Sequence, residues 1–274
     1  MPHRPSGPLR RYSTLITALS VLLWASYGMG AELRIAVAAN FNHTLRSLVE
    51  EYQTENPEFR ASVSSASSGK HFAQIRQGAP FHVFFSADDQ RTADLVASGD
   101  ALAASRTPYA LGQLVLWSSD PALIPEDGLG FLRSGEFNRL AIANPRVAPY
   151  GAAAEALLED AGIELARGQR VTGQSIGQVF NFVSSGNADV GFIAASQVIL
   201  HERRQPSGSR WQPPADSYPP IVQEVVLLKA GADHPWASDF LYWVVCDSKA
   251  HALIQTDGYL IPDDEARHVC TGNQ

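Results

Sequence analysis

Four short stretches carry residue types able to grip a small ligand without reacting with it. They are AANFN at 38–42, SASSGK at 65–70, VAPYGA at 147–152 and GQSIGQ at 173–178. Each separates a strand-like run from a helix-like run. The richest is Val63 to Ile75, which passes from strand alternation to helical spacing (Phe72, Ile75) through serines and one glycine. The first N–H groups of a helix have no partner inside it, and the helix dipole adds positive potential there. Serine hydroxyls and an asparagine amide supply further donors. One such loop alone reads more simply as an ordinary serine N-cap. Four of one character describe a shell of donors instead. Few of these loops carry a carboxylate, so an anion among them meets almost no acceptors. A fully deprotonated oxyanion suits that shell better than hydrogen phosphate, whose proton needs an acceptor.

Other chemistries compete for the same residues. Gly173-Gln174-Ser175-Ile176-Gly177 fits the GxSxG nucleophile elbow, and Asp189 with His234 or His251 follows in the chain order of a hydrolase triad. Yet no HGGG-type segment is present, and the strand before Ser175 is very short. A five-residue pattern is weak by itself. SASSGKH resembles the end of a nucleotide-binding loop, but its first glycine is missing and His71 stands where Ser or Thr would hold magnesium. The eight histidines are scattered, with no HxH or HExxH spacing to hold a metal. Asp88-Asp89 reads as a helix cap before it reads as an acid–base pair. The expectation is a protein that binds without catalysis and without a cofactor.

The elements that must position these loops alternate. A buried strand, Leu33 to about Ala38, precedes a helix whose Leu45, Leu48, Val49 and Tyr52 share one face and which ends before Pro57. Strand 59–65, the serine-loop helix to about Gly78, strand 81–87 and a helix around Leu95-Val96 follow. This is an α/β pattern with a mostly parallel sheet. LGQLVLWSS reads as one strand crossing into a second lobe that repeats the theme: strand 140–143, helix 151–161, short strand 171–172, the helix of Ile176, Val179, Phe180 and Val183, and strand 188–194. Residues 202–220 read as an irregular loop. Strand 221–229 returns to the first lobe, and one closing helix runs from Ser238 to Gln255. In parallel α/β sheets, strand-to-helix junctions collect at the carboxyl edge, where ligands bind.

With 45% hydrophobic and 18% charged residues the chain has the make-up of a folded protein, and wholesale disorder is excluded. Its formal charge of −7, without a basic run, argues against nucleic acid or anionic membrane as the main partner. The start reads as an export signal: Arg4, Arg10 and Arg11 precede the apolar run Leu15–Trp24, and small residues place cleavage between Gly28 and Ala31. Residues 1–31 are then a leader, and the mature chain is exported. Cys246 and Cys270 make an even count, which in an oxidising compartment invites a disulfide; two free thiols are the alternative.

Over nearly all of residues 32–262 the chain resembles the periplasmic molybdate-binding proteins that serve an ABC importer. The resemblance is carried by VAANF, SSGKHFAQIRQGAPFHVFFSADD, YALGQLVLWS, ANPRVAPYGAAA and LIQTDGYLIP, in that order. It implies a two-lobed periplasmic binding protein fold (type II), with 32–111 plus 222–274 as one lobe, 112–221 as the other, and the ligand between them. Carried across by position, Asn40 with its neighbour Phe41 takes the first-loop role. Ser68 is the serine-loop ligand with Ser67 beside it, Tyr150 matches a tyrosine ligand of one branch, and Ile176 offers its backbone N–H. Molybdenum would meet Asn40, Ser68, Tyr150 and Ile176 only as the oxyanion, never as a bare cation. Another branch places its ligand tyrosine where this chain has Ala194, so Tyr150 would supply that hydroxyl from a different loop. Lys70 adds potential at most, or is a solvated surface lysine. The implied protein is a periplasmic monomer that passes molybdate, tungstate or a related oxyanion such as sulfate to a membrane permease.

Overall fold

Leu33–Ala38 forms β1, and of its six side chains only that of Arg34 is exposed, as the centre of a sheet requires. A computed structural model describes residues 32–270; the expected leader lies outside them. α1 (Asn42–Glu55) buries Leu45, Leu48, Val49 and Tyr52, the stripe that the spacing predicts. β2 (Ala61–Ala66), α2 (Ser68–Arg76), β3 (Val83–Phe85), α3 (Gln90–Ala97) and β4 (Thr107–Gly112) follow. After Gln113 come β5 (Leu114–Ser118), α4 (Gly128–Ser134), β6 (Leu140–Ala143), α5 (Pro149–Asp160), β7 (Arg170–Gly173), α6 (Ile176–Ser184), β8 (Val190–Ala194), α7 (Ala195–Glu202) and β9 (Ser209–Trp211). β10 (Ile221–Leu227), α8 (Ala237–Cys246) and α9 (Ser248–Thr256) complete the main elements.

The strands form two five-stranded sheets, ordered β2-β1-β3-β10-β4 and β7-β6-β8-β5-β9. In the first, β1 runs parallel to β2 and β3, and β10 lies antiparallel between β3 and β4. The second repeats the plan, with β6 parallel to β7 and β8 and with β5 antiparallel between β8 and β9. Each sheet has its own core. Tyr52, Phe59 and Phe240 anchor α1 and α8 to the first; Leu116, Trp117, Phe192 and Val179 lie in the second. The parallel strands place the ends of β1 and β2, and those of β6 and β7, at the carboxyl edges of their sheets.

Three elements differ from the sequence reading. The run LGQLVLWSS is not one strand: Gly112 ends β4 in the first sheet, Leu114 begins β5 in the second, and one residue separates them. Gly112-Gln113 interrupts the apolar run at the switch, but one polar residue between two strand-like stretches does not by itself mark a change of sheet. The 202–220 segment contains β9, an edge strand paired with β5. The closing helix is two helices, because Asp247 is extended (φ −83°, ψ 138°) and its side chain accepts from the Lys249 N–H at 2.7 Å, starting α9 anew. Cys246, at the end of α8, is bonded to Cys270, with Cα atoms 5.6 Å apart.

Beyond the crossing strands, the two halves touch around their facing edges. The Gly69 N–H donates to the Val147 carbonyl at 2.9 Å, and the Arg91 guanidinium donates to the Arg146 carbonyl at 2.9 Å. Arg203 pairs with the nearly buried Asp257 at 2.8 Å, and Asp257 also accepts from the Thr44 hydroxyl.

Candidate functional site

All four donor-rich loops reach one small cavity between the sheets. Ala38, Ala39 and Asn40 come from the end of β1, Ser67 and Ser68 from the start of α2, Ala148 to Tyr150 from the start of α5, and Ile176 from the start of α6; Ala87 completes the lining. The centre of a water-sized sphere can range over about 10 Å³ there, which is room for about one small occupant. Among the described residues, no carboxylate, lysine, arginine or histidine lines it.

Ser68 is fully buried, and its Oγ accepts from the Ala87 N–H at 2.9 Å, so its own proton is left to donate elsewhere. Ser67 occupies the N-cap position of α2 with extended backbone, yet its side chain makes no capping bond. The ordinary serine cap is therefore not what this residue provides. Ser175 is the contrast: its side chain caps α6 by accepting from the Gln178 N–H. Ile176, the first residue of that helix, presents a backbone N–H that no earlier turn can satisfy. Tyr150 follows Pro149 at the start of α5; its buried hydroxyl makes no hydrogen bond of good geometry among the described residues, although the Asn40 side chain lies beside it. Burial above all, and then the phenols of Tyr259, Tyr109 and Tyr218, hold its pKa well above the usual value against a smaller lowering by the Asn40 side chain, so it stays a protonated donor.

Asn40 is held in a network that the sequence reading missed. Its Nδ2 donates to Gln223 Oε1 at 2.6 Å and to the Tyr259 hydroxyl at 3.2 Å. The Tyr259 hydroxyl in turn donates to the Asn40 carbonyl at 2.8 Å and lies 2.9 Å from Ser196 Oγ. The Tyr109 hydroxyl, with one proton to give, lies 3.1 Å from the Ser86 carbonyl and 3.2 Å from Gln223 Oε1. Gln223 is completely buried in β10. A lone amide in the apolar run IVQEVVLL was the signal that could have found it.

Phe41 departs from its expected place: its ring packs against Phe85, Tyr109 and Tyr259 in the first core, and it does not line the cavity. Lys70 is exposed. Ala194 ends β8 fully buried and offers no hydroxyl. The hydrolase triad does not assemble. Ser175 follows the carboxyl end of β7, whereas Asp189 precedes the amino end of β8, and both strands run parallel to β6. Asp189 accepts the N–H groups of Asn138 and Arg139 instead. The His234 ring lies tilted 4.5 Å from that of His82 in the other half, and His251 lies against the Val245 carbonyl and Arg267. Of the Asp88-Asp89 pair, Asp88 accepts the Arg91 N–H, whereas the Asp89 side chain makes no capping bond.

Over residues 33–260 the chain matches the family described as bacterial extracellular solute-binding protein. It is 39% identical over 248 residues to the molybdate-binding protein ModA of Azotobacter vinelandii, covering 90% of this chain and 97% of the relative. It is 40% identical over 246 residues to ModA of Rhodobacter capsulatus, covering 89% and 94%. The solved structure of the Azotobacter vinelandii periplasmic molybdate-binding protein aligns with a TM-score of 0.80 over 84% of this chain and 100% of that one. The chain belongs to the bacterial extracellular solute-binding proteins, within their periplasmic molybdate-binding family.

Proposed function

We propose that this protein captures one molybdate or tungstate ion between two lobes, residues 32–111 with 222–274 and residues 112–221, and delivers it to the membrane permease of an ABC importer. It acts outside the cytoplasm, as a monomer, after loss of its leader. The observation that carries this reading is the acid-free cavity where four helix-start loops meet, with the buried Tyr150 hydroxyl at its wall making no hydrogen bond of good geometry among the described residues. Ser68, Ser67 and Tyr150 donate hydroxyl protons to the oxyanion, Ile176 donates its N–H, and Asn40 forms the wall of the first loop. The ion is cargo: the protein performs no reaction on it and needs no cofactor.

A thermal-shift panel of molybdate, tungstate, sulfate, phosphate and chromate tests the proposal. A ligand that binds only the native state raises the melting point in proportion to the logarithm of its excess over Kd. Molybdate and tungstate should stand out, and phosphate, which carries a proton near neutral pH, should fail. Sulfate, with the same charge and a smaller radius, should give a lesser shift. A shift with sulfate alone, or with a metal cation or an organic solute in place of every oxyanion, would overturn the reading.

A further inference from the structure

Two buried polar atoms in the site's surroundings have no hydrogen-bond partner among the described residues: the Tyr150 hydroxyl and Gln223 Nε2. They come from opposite halves of the fold, Tyr150 from α5 and Gln223 from β10. They also converge on one point. A Cβ added to Gly112, the last residue of β4, would lie 2.3 Å from the Tyr150 hydroxyl and 3.1 Å from Gln223 Nε2. The amide of Gln223 cannot turn freely, because Oε1 already accepts from Asn40 Nδ2 and faces the Tyr109 hydroxyl. That fixes Nε2, a donor, on the side of Tyr150.

We infer that Gln223, with the space left by Gly112, is a positioning residue for Tyr150: the two polar atoms flank one point without bonding each other in this structure, and once the tyrosine hydroxyl donates to an oxyanion, Nε2 donates to the tyrosine oxygen and keeps that proton turned toward the ion. A phenol has one proton to give, and one facing an amide N–H can only accept there. The chemistry at the cavity makes this matter. An oxyanion offers no proton, so a tyrosine whose proton pointed elsewhere would present a lone pair to a negative charge. The same amide holds Asn40 through Oε1, so one residue of the crossing strand orders two walls of the site. Gly112 is required for the same reason, since any side chain there would occupy the place of the tyrosine hydroxyl. The inference rests on the proposed reading that Tyr150 contacts an oxyanion.

The test is a double-mutant cycle read by calorimetric titration with sodium molybdate. Gln223→Glu keeps an oxygen for Asn40 and replaces the Nε2 donor by an acceptor that draws the tyrosine proton away. Its added charge repels the anion equally whether or not Tyr150 keeps its hydroxyl, and so cancels in the cycle. Tyr150→Phe should weaken binding by about tenfold or more, as loss of one hydrogen bond to an ionised ligand does. Gln223→Glu should weaken it further in the parent than in the Tyr150→Phe background, by a factor of about ten. Gly112→Ala, whose Cβ would crowd the tyrosine oxygen, is the second variant should Gln223→Glu fail to fold, and should show the same dependence on the Tyr150 hydroxyl. Equal losses in both backgrounds would overturn the role given to Gln223 and Gly112. Molybdate binding by the parent with no loss in Tyr150→Phe would also overturn it while leaving the proposed function standing; a parent that binds no oxyanion would remove both.

Discussion

The Gly69 N–H donates to the Val147 carbonyl at 2.9 Å, joining the first turn of α2 to the loop after β6 across the cleft. Contact is close enough to need glycine: a Cβ at residue 69 would lie 2.7 Å from the Val147 Cα. Gly69→Ala should hold the halves apart and leave each core intact. The expected result is a loss of oxyanion affinity of about ten- to hundredfold, the size of one or two lost hydrogen bonds, with an unchanged melting point of the ligand-free protein. A variant that binds as the parent does would show that this contact is not part of the ligand-bound state.

Ser68 faces the cavity fully buried, its Oγ occupied as an acceptor by the Ala87 N–H. Ser68→Ala removes a donor to an ionised ligand, worth about 1.5–3 kcal/mol, or about ten- to hundredfold in Kd. It also strips the Ala87 N–H of its partner, so some loss of stability should accompany the loss of binding. Asn40→Ala should weaken binding too, through release of the Gln223 and Tyr259 groups it holds. Titration calorimetry on the two variants would show the site misplaced if both bind molybdate like the parent.

His82 should make the fold sensitive to acid. Burial first, then His234 and the Arg34 guanidinium, push its pKa down to about 4. The Arg34 N–H donates to His82 Nδ1 at 3.1 Å, and the guanidinium lies 3.0 Å from Nε2, so neither ring nitrogen faces an acceptor. In the unfolded chain the ring titrates near its ordinary value of about 6.5. Between those values the unfolded state binds the extra proton, so stability is intact above about pH 6.5 and declines as pH falls toward about 4. Melting curves taken from about pH 7.5 to about pH 4.5 should fall more steeply for the parent than for His82→Gln. Parallel curves would refute a role for this ring.

The Cys246–Cys270 bond closes a loop with a sequence separation of 24 between α8 and the C-terminal segment. Chain-entropy arguments give such a link about 3 kcal/mol, or about 6–12 °C in Tm for a protein of this size. Cys246→Ala/Cys270→Ala should melt lower by that amount while its molybdate affinity stays put, because neither cysteine lines the cavity. A scan under oxidising conditions against the parent checks both.

The alternation of strands and helices was legible because buried parallel strands such as Leu33–Ala38 and amphipathic stripes such as Leu45, Leu48, Val49 and Tyr52 are local patterns. The donor loops were legible for the same reason, since each is a contiguous stretch at one junction. What escaped was non-local. The resemblance puts a lobe boundary inside LGQLVLWSS, but strand spacing alone does not separate Gly112 and Leu114 into different sheets. The partners of Asn40 lie 183 and 219 residues further along the chain, at Gln223 and Tyr259. Phe41 was adjacent to a cavity residue in sequence, but the turn after β1 sends its ring into the core. Asp247 restarts a helix that hydrophobic spacing alone carries straight through.

The absence of any carboxylate or fixed cation from the cavity lining has a consequence for the protein as an electrical object. Hydroxyls and N–H groups can hold an oxyanion without neutralising it and without taking up or releasing protons of their own. A loaded molecule would therefore carry the whole charge of its cargo on top of an already acidic chain. Loaded and empty forms should separate on an anion-exchange column, the loaded one eluting later, and the pH dependence of affinity should follow the protonation of the ion and not that of any side chain in the site.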